Sequence, residues 1–276
     1  MIVTFCGPLH GQIRTTSNMG AVGTMLAMNN HLRLLMAHSH LELSTLENSY
    51  YKVIGHDVLS ETASGMDNLE ELVRVHKATP ESIRDNTVSV IRDRLDLIHG
   101  PTSQKSLALK QTMHHIFDNY KRSYDLLFVD VNSGTNNEFS NFAIQNSDLV
   151  VVSLNQNKYL LDQFFNDTEW RKLLKDKSVV YCLGAYDRRS KYTKTRISKM
   201  YGVPAKLIGA VPYNTRFLDA QNDQHIIDFL DRVRSKKMKF LEFDEEAYFA
   251  QSVRKMGELI LSELRITPIS EEDIDD

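Results

Sequence analysis

Only two cysteines occur in the 276 residues, Cys6 and Cys182, and each lies inside an apolar run. A disulfide framework is therefore excluded as the basis of the fold, and both read as reduced core thiols of a cytosolic protein. The chain also lacks any stretch approaching the roughly eighteen apolar residues of a membrane span, and it opens without a charged segment and cleavage site. Basic charge is not in excess: the formal net charge is −3, so no global field attracts nucleic acid and any such contact needs a local patch. Internal repeats and low-complexity linkers are absent too. What is plentiful is apolar matter, 42% of residues, enough to bury the core of a large α/β domain. The expected organisation is one domain over 1–265 with an acidic tail at 266–276, whose charge is wrong for a basic membrane anchor. The expected location is the cytoplasm, with no membrane insertion.

The first eighteen residues, MIVTFCGPLHGQIRTTSN, carry the strongest local signal. Ile2 to Cys6 is a short apolar run, a Gly-Pro turn and a polar loop follow, and Thr15-Thr16-Ser17-Asn18 opens a segment rich in Ala, Met and Leu. That pattern is strand, loop, helix, and such a loop aims backbone N–H groups and the positive end of a helix dipole at an anion in front of it. Compared with the phosphate-binding pattern G-x-x-x-x-G-K-[ST], the stretch Gly7 to Thr15 keeps the first glycine, a cation at the lysine position (Arg14) and the hydroxyl of Thr15 for Mg²⁺. The second glycine is lost to Ile13.

Strand-like and helix-like segments then alternate. Helices are expected over Thr16–Asn30, Met66–Lys77, Thr79–Arg94, Lys105–Lys121, Lys158–Leu174, Lys191–Tyr201, Asn222–Lys236 and Asp244–Leu264. Strands are expected at Leu32–Ala37, Leu95–Ile98, Leu126–Asp130, Leu149–Leu154, Ser178–Leu183 and Leu207–Val211. Short connections between alternating elements imply an α/β fold with a mostly parallel central sheet and helices on both faces. Ligands of such sheets bind beyond the carboxyl ends of the strands, so the loops at 7–17, 38–42 and 130–135 should meet at one site.

These segments together resemble the ParA/MinD family of deviant Walker ATPases, which are P-loop NTPase-like, and within it the TadZ/CpaE-like proteins that position pilus and secretion machinery. The resemblance rests on the N-terminal loop, YDLLFVDVNSG at 124–134, SDLVVVSLNQN at 147–157, YDRRSKYTKTRISKMYG at 186–202 and VPYNTRFLDAQ at 211–221. It implies ATP and Mg²⁺ as ligands, with Gly7, Gly11, Arg14, Thr15, Thr16, Asp130, Gly134 and Pro212 around the nucleotide and Thr15 and Asp130 on the metal. It further implies a homodimer closed over the nucleotide and protein partners of a pilus, secretion or partition system.

Several positions depart from the family pattern K-G-G-x-G-K-T-T, which falls on Leu9 to Thr16. Leu9 replaces the lysine that reaches across the dimer, and it cannot neutralise phosphate. Ile13 replaces a glycine, and a β-branched side chain is stiff and disfavours positive φ. The family's D-x-D after the second strand becomes His38-Ser39-His40, and imidazoles supply no hard anion for Mg²⁺. Gly184-Ala185-Tyr186-Asp187 stands where an asparagine often precedes the base pocket. Each lost charge-assisted contact costs about 1.5–3 kcal/mol, against about 8 kcal/mol for a micromolar affinity. The expectation is weakened nucleotide binding and little or no hydrolysis: a positioning or scaffolding factor and not a catalyst. The alternative is an active partition-type ATPase that binds DNA non-specifically.

Two basic clusters bear on that alternative: Arg188, Arg189, Lys191, Lys194, Arg196, Lys199, and Arg232, Arg234, Lys236, Lys237, Lys239. Relatives of the family bind DNA through a basic surface near the C-terminal helices, by phosphate contact. A solvated helix face explains the clusters as well, so DNA is not favoured. His10, His38 and His40 would converge at the same edge; three imidazoles suit Zn²⁺, but filling a decayed nucleotide site explains them more simply.

Overall fold

The structure is a computed structural model that describes residues 1–40, 44–51, 65–101, 106–238 and 242–267. Residues 41–42 of the second site loop, Lys239 and the tail from 268 lie outside the described residues.

The sheet has eight strands: β1 (Ile2–Cys6), β2 (Leu34–His38), β3 (Thr87–Ile91), β4 (Leu95–Ile98), β5 (Leu126–Asp130), β6 (Leu149–Leu154), β7 (Val179–Tyr186) and β8 (Ile208–Pro212). Their order is β3-β4-β2-β5-β1-β6-β7-β8. All neighbours are parallel except β3, which runs antiparallel to β4 at the edge. The central strands are wholly buried and mostly apolar because both faces are covered.

Alternation along each strand sorts side chains between two cores. Val3, Phe5, Leu126 and Phe128 join the core beneath α1 (Thr15–Asn29), with Phe229 and Phe249 from two later helices; Ile2, Cys6, Leu127 and Val129 join the opposite core, with Met113, Phe142 and Trp170. On the first face lie α1, α9 (Thr215–Asn222), α10 (Ile226–Arg234) and α11 (Glu245–Glu263). The second face carries α2 (Met66–Arg74), α4 (Ser106–Asn119), α5 (Glu138–Gln145), α6 (Lys158–Asn166), α7 (Thr168–Leu174) and α8 (Lys194–Tyr201), while α3 (Ser82–Asp85) is a single turn.

Four expected helices change. Residues 79–94 do not form one helix: only the turn α3 is helical, and Thr87–Ile91 is the edge strand, since Val88 pairs with Leu97 and the β-branched residues fit a pleated surface. The span 158–174 breaks where Asp167 accepts the N–H groups of Glu169 and Trp170 and caps α7. Thr193 caps α8, delaying that helix to Lys194. Residues 222–236 begin only at Ile226, because Asn214 caps a separate helix, α9, before it. No helix among the described residues is long and apolar enough to cross a membrane.

Candidate functional site

Three strand ends meet at the carboxyl edge, because β2, β5 and β1 are consecutive in the sheet. The loops after them frame a cleft of about 740 Å³ lined by Gly11, Arg14, Thr15, Thr16, His40 and Asn132 among others. Of the expected nucleotide residues, Gly11, Arg14, Thr15 and Thr16 line this cleft. Asp130 is fully buried at its base, where Thr16 Oγ1 donates to Asp130 Oδ2 at 2.5 Å. Gly134 takes positive φ (86°) and its N–H donates to the carbonyl of Gly7 at 2.9 Å, tying the third loop to the first. Pro212 lies at the end of β8, three strands from β1.

The first loop is built differently from the sequence expectation. Ile13 does not take positive φ; Gly11 (74°) and Arg14 (56°) do. A left-handed arginine costs about 1–2 kcal/mol, and it leaves the start of α1 without a side-chain cap. The Ile13 side chain is 1% exposed and packs inward, where a Cβ on Gly7 would stand 2.0 Å from Ile13 Cδ1. Its carbonyl accepts Asn18 Nδ2 at 3.1 Å. The glycine expected at 13 is thus replaced by a buried anchor. Arg14 turns its guanidinium over the Tyr213 ring, 5.4 Å from the centroid.

Register and strand alternation build the second half of the site. His38 pairs with Asp130 across β2 and β5, and Leu34, Met36 and His38 alternate onto the same face as Leu126, Phe128 and Asp130. His38 Nδ1 accepts the backbone N–H of His40 at 3.2 Å, so its Nε2–H donates to Glu47 Oε1 at 2.5 Å. Glu47 also accepts the N–H of Gly100 at 3.0 Å. It is carried on a short 3₁₀ turn, Glu47–Ser49, that Tyr50 pins to α1 through Thr24 Oγ1 at 2.7 Å. Burial opposes ionisation of Glu47, but the hydrogen bond from His38 and the backbone N–H groups bring its pKa down to about 2.

His40 completes the chain of contacts. Its Nε2 lies 3.1 Å from Asp130 Oδ2, and its Nδ1 lies 2.8 Å from Asn132 Oδ1. The Nε2 contact is at ion-pair distance without hydrogen-bond geometry, and Asp130 Oδ1 is likewise buried without a partner. Burial disfavours a charged ring, but Asp130, Asn132 and Glu47 outweigh it and raise the pKa above the ordinary imidazole value. Burial, with the charge of Asp130, pushes the Cys6 thiol far up, so it stays protonated and inert.

The residues present fit an anion better than a metal. Thr15 Oγ1 is buried without a protein hydrogen-bond partner, α1 opens uncapped, and no Asp or Glu is among the described residues that line the cleft. Asp130 turns Oδ2 to His40 and the Thr16 hydroxyl, while its Oδ1 is, like Thr15 Oγ1, buried without a protein partner. The three histidines do not form a metal centre: both nitrogens of His38 are engaged and His10 is exposed.

No family model matches the chain, and no curated protein does. Solved structures do. A ParA family ATPase from Chlorobium tepidum TLS superposes with a TM-score of 0.70 at 11% identity, covering 93% of this chain and 98% of that one. The fold is that of the ParA/MinD ATPases. A septum site-determining MinD from Pyrococcus horikoshii OT3, complexed with Mg-ADP, gives a TM-score of 0.64 at 12% identity over 94% of this chain and 95% of that one. A chain of the MinC:MinD cell division protein complex of Aquifex aeolicus gives 0.65 at 14% identity over 98% of each chain. In this ParA/MinD fold the edge that carries His40, Asp130 and the α1 N-terminus is the edge where strand ends and helix starts converge, which is where ligands of parallel sheets bind.

Sequence reasoning missed Glu47 and Asn132. Glu47 sits in a stretch without hydrophobic period, and only the position of His38 on the inner face gives a reason for an acid nearby.

Proposed function

We propose that this chain is a non-hydrolysing ParA/MinD-type protein that positions other proteins, with a pilus or secretion apparatus as its client. The observation that carries the reading is His40 against Asp130, Nε2 to Oδ2 at 3.1 Å: an imidazole stands where hydrolysis in the resembled family needs an acid and a metal. Leu9 supports it, since no lysine is present there to reach a second nucleotide. The site residues taken to meet a nucleotide are Gly7, Gly11, Arg14, Thr15, Thr16, Asp130, Gly134 and Pro212, and the working form is a homodimer in the cytoplasm. A partition-type role is less well supported, because within the second basic cluster Arg232 and Lys236 contact Glu246 and Arg234 contacts Asp231 at a partly exposed surface.

Phosphate release with ATP and Mg²⁺, with and without DNA, tests the reading. The expected result is no release above background. Turnover that vanishes in Asp130→Asn would overturn it. A labelled full-length chain should also keep its position in the cell when Asp130→Asn is introduced, since a scaffold does not need a hydrolytic cycle.

A further inference from the structure

A second cleft lies at the opposite edge of the sheet from the candidate site, where Arg33 precedes β2, Arg94 precedes β4 and Ser123 precedes β5. It holds about 370 Å³ and is lined by four arginines, Arg33, Arg84, Arg92 and Arg94. Two carboxylates answer them only in part: Asp93 pairs with its neighbour Arg92 at 3.6 Å, and Asp96 accepts the Tyr124 hydroxyl at 2.7 Å. Arg33 and Arg84 have no ion-pair partner among the described residues. Arg94 is held in place, with Nη1 donating to the Asn30 carbonyl at 2.8 Å and Nη2 lying 2.9 Å from His31 Nε2. Guanidinium groups gathered in this way match carboxylates, whose two oxygens accept the planar fork of donors. A second copy docked on the outer strand β3 would instead set arginine against arginine.

The chain itself carries the matching charge. The stretch beyond Thr267, outside the described residues, reads PISEEDIDD, with carboxylates at Glu271, Glu272, Asp273, Asp275 and Asp276. Thr267 lines a larger cleft together with Asn30, the residue whose carbonyl holds Arg94. Three uncharged residues, 268–270, span about 10 Å when extended and the whole stretch about 30 Å, a reach that takes the acids past Asn30 to the arginines beside it. Cations nearer to Thr267 are already engaged: Arg234 pairs with Asp231 at 2.9 Å, and Arg254 donates to the Arg234 carbonyl. We infer that Glu271–Asp276 docks in cis on the arginine-lined cleft, its carboxylates pairing with Arg33 and Arg84. Each exposed pair is weak alone, but tethering gives the stretch an effective concentration in the millimolar range. The cleft is then closed to other polyanions until the stretch is displaced.

Fluorescence anisotropy of a labelled ISEEDIDD peptide tests it on two full-length chains, wild type and a neutralised chain carrying Glu271→Gln, Glu272→Gln, Asp273→Asn, Asp275→Asn and Asp276→Asn. The neutralised chain should bind the peptide with a Kd below about 1 mM, and wild type should bind at least about tenfold more weakly, because its own stretch holds the cleft. Adding Arg33→Gln and Arg84→Gln to the neutralised chain should weaken binding by about fivefold or more, as should raising the salt to about 1 M. Lys237→Gln, in the cleft next to Thr267, should change it by less than about twofold. Both arginines are exposed, and thermal melting shows that the variants are folded. Equal binding by wild type and the neutralised chain overturns the inference, as does no binding to the neutralised chain up to about 1 mM. Loss on Lys237→Gln with the arginine pair indifferent assigns the stretch to the nearer cleft and overturns it too. Exclusion of the peptide that fades as wild type is diluted assigns the stretch to another copy and overturns docking in cis.

Discussion

His38 and Glu47 form a buried pair beneath the cleft, imidazole Nε2 to carboxylate Oε1 at 2.5 Å, with Gly100 closed over the ring. A Cβ on Gly100 would stand 1.9 Å from His38 Cε1. The ring cannot retreat, since both nitrogens are engaged. Gly100→Ala should therefore destabilise the fold by about 1–3 kcal/mol, read from urea unfolding, while a Gly100→Ala protein as stable as wild type would show the ring free to move.

The same pair makes a pH prediction. The Glu47 pKa falls from an ordinary 4.5 to about 2, which corresponds to about 3 kcal/mol. Because the folded-state value is the lower one, this stabilisation is complete above pH 4.5 and fades as the pH drops toward 2. Glu47→Gln should cost stability at pH 7, and its deficit against wild type should shrink steadily in urea titrations carried out from pH 5 downward. A deficit independent of pH would show that the carboxylate is not ionised in the folded state.

The inward packing of Ile13 sets the third expectation. Ile13→Ala should destabilise by about 2–4 kcal/mol and Ile13→Val by about 1 kcal/mol. Restoring a family-like loop with Ile13→Gly and Arg14→Lys carries this same cost, so any gain in nucleotide affinity must be measured on a less stable protein. Equal stability of wild type and Ile13→Ala would contradict the buried position.

The fold was legible because its signal is periodic. Leu126 to Asp130 and Leu149 to Leu154 are apolar runs with polar ends, and the strands lie where those runs do. Helix boundaries were lost where one side chain decides them, as Asp167 and Asn214 do by capping. Thr87–Ile91 was misread as helix since its length and spacing suit either state until β4 is there to pair with it. At the site, the loop, Asp130 and the exchange of acids for His38 and His40 were visible in the chain. The direction of Ile13 was not, because it depends on the bare face of Gly7 and on a core built from residues far away in sequence.

Glu246 governs the fourth prediction. It is 6% exposed and gathers Arg216 at 2.8 Å, Arg232 at 3.2 Å and Lys236 at 2.5 Å, joining α9, α10 and α11. Wild type should bind DNA weakly at physiological salt, since each of these cations is drawn to Glu246. Glu246→Gln should lower stability by about 1–2 kcal/mol and free the cluster, so that DNA affinity rises and its salt dependence steepens by up to about three phosphate contacts. Sub-micromolar, strongly salt-dependent binding by wild type in a gel-shift assay would put the partition role first.

Self-association is expected through the edge that carries the cleft, and Leu9 decides how. It is 40% exposed at the cleft mouth, and Tyr213 on the same edge is 53% exposed. With Ile13 turned inward, Leu9 is the apolar group of that loop left to meet a partner. Burying what remains of its surface contributes about 1 kcal/mol per copy, and two copies in a symmetric contact change the dimer Kd by about thirtyfold. Such a contact needs no nucleotide, unlike one closed by a lysine on phosphate. Sedimentation of the full chain without nucleotide should show a dimer that Leu9→Asp weakens by at least that factor, because the charge must also be desolvated. Ile13→Val should leave the dimer unchanged, since its side chain faces the core. A wild-type monomer, or a dimer indifferent to Leu9→Asp, would sink the proposal.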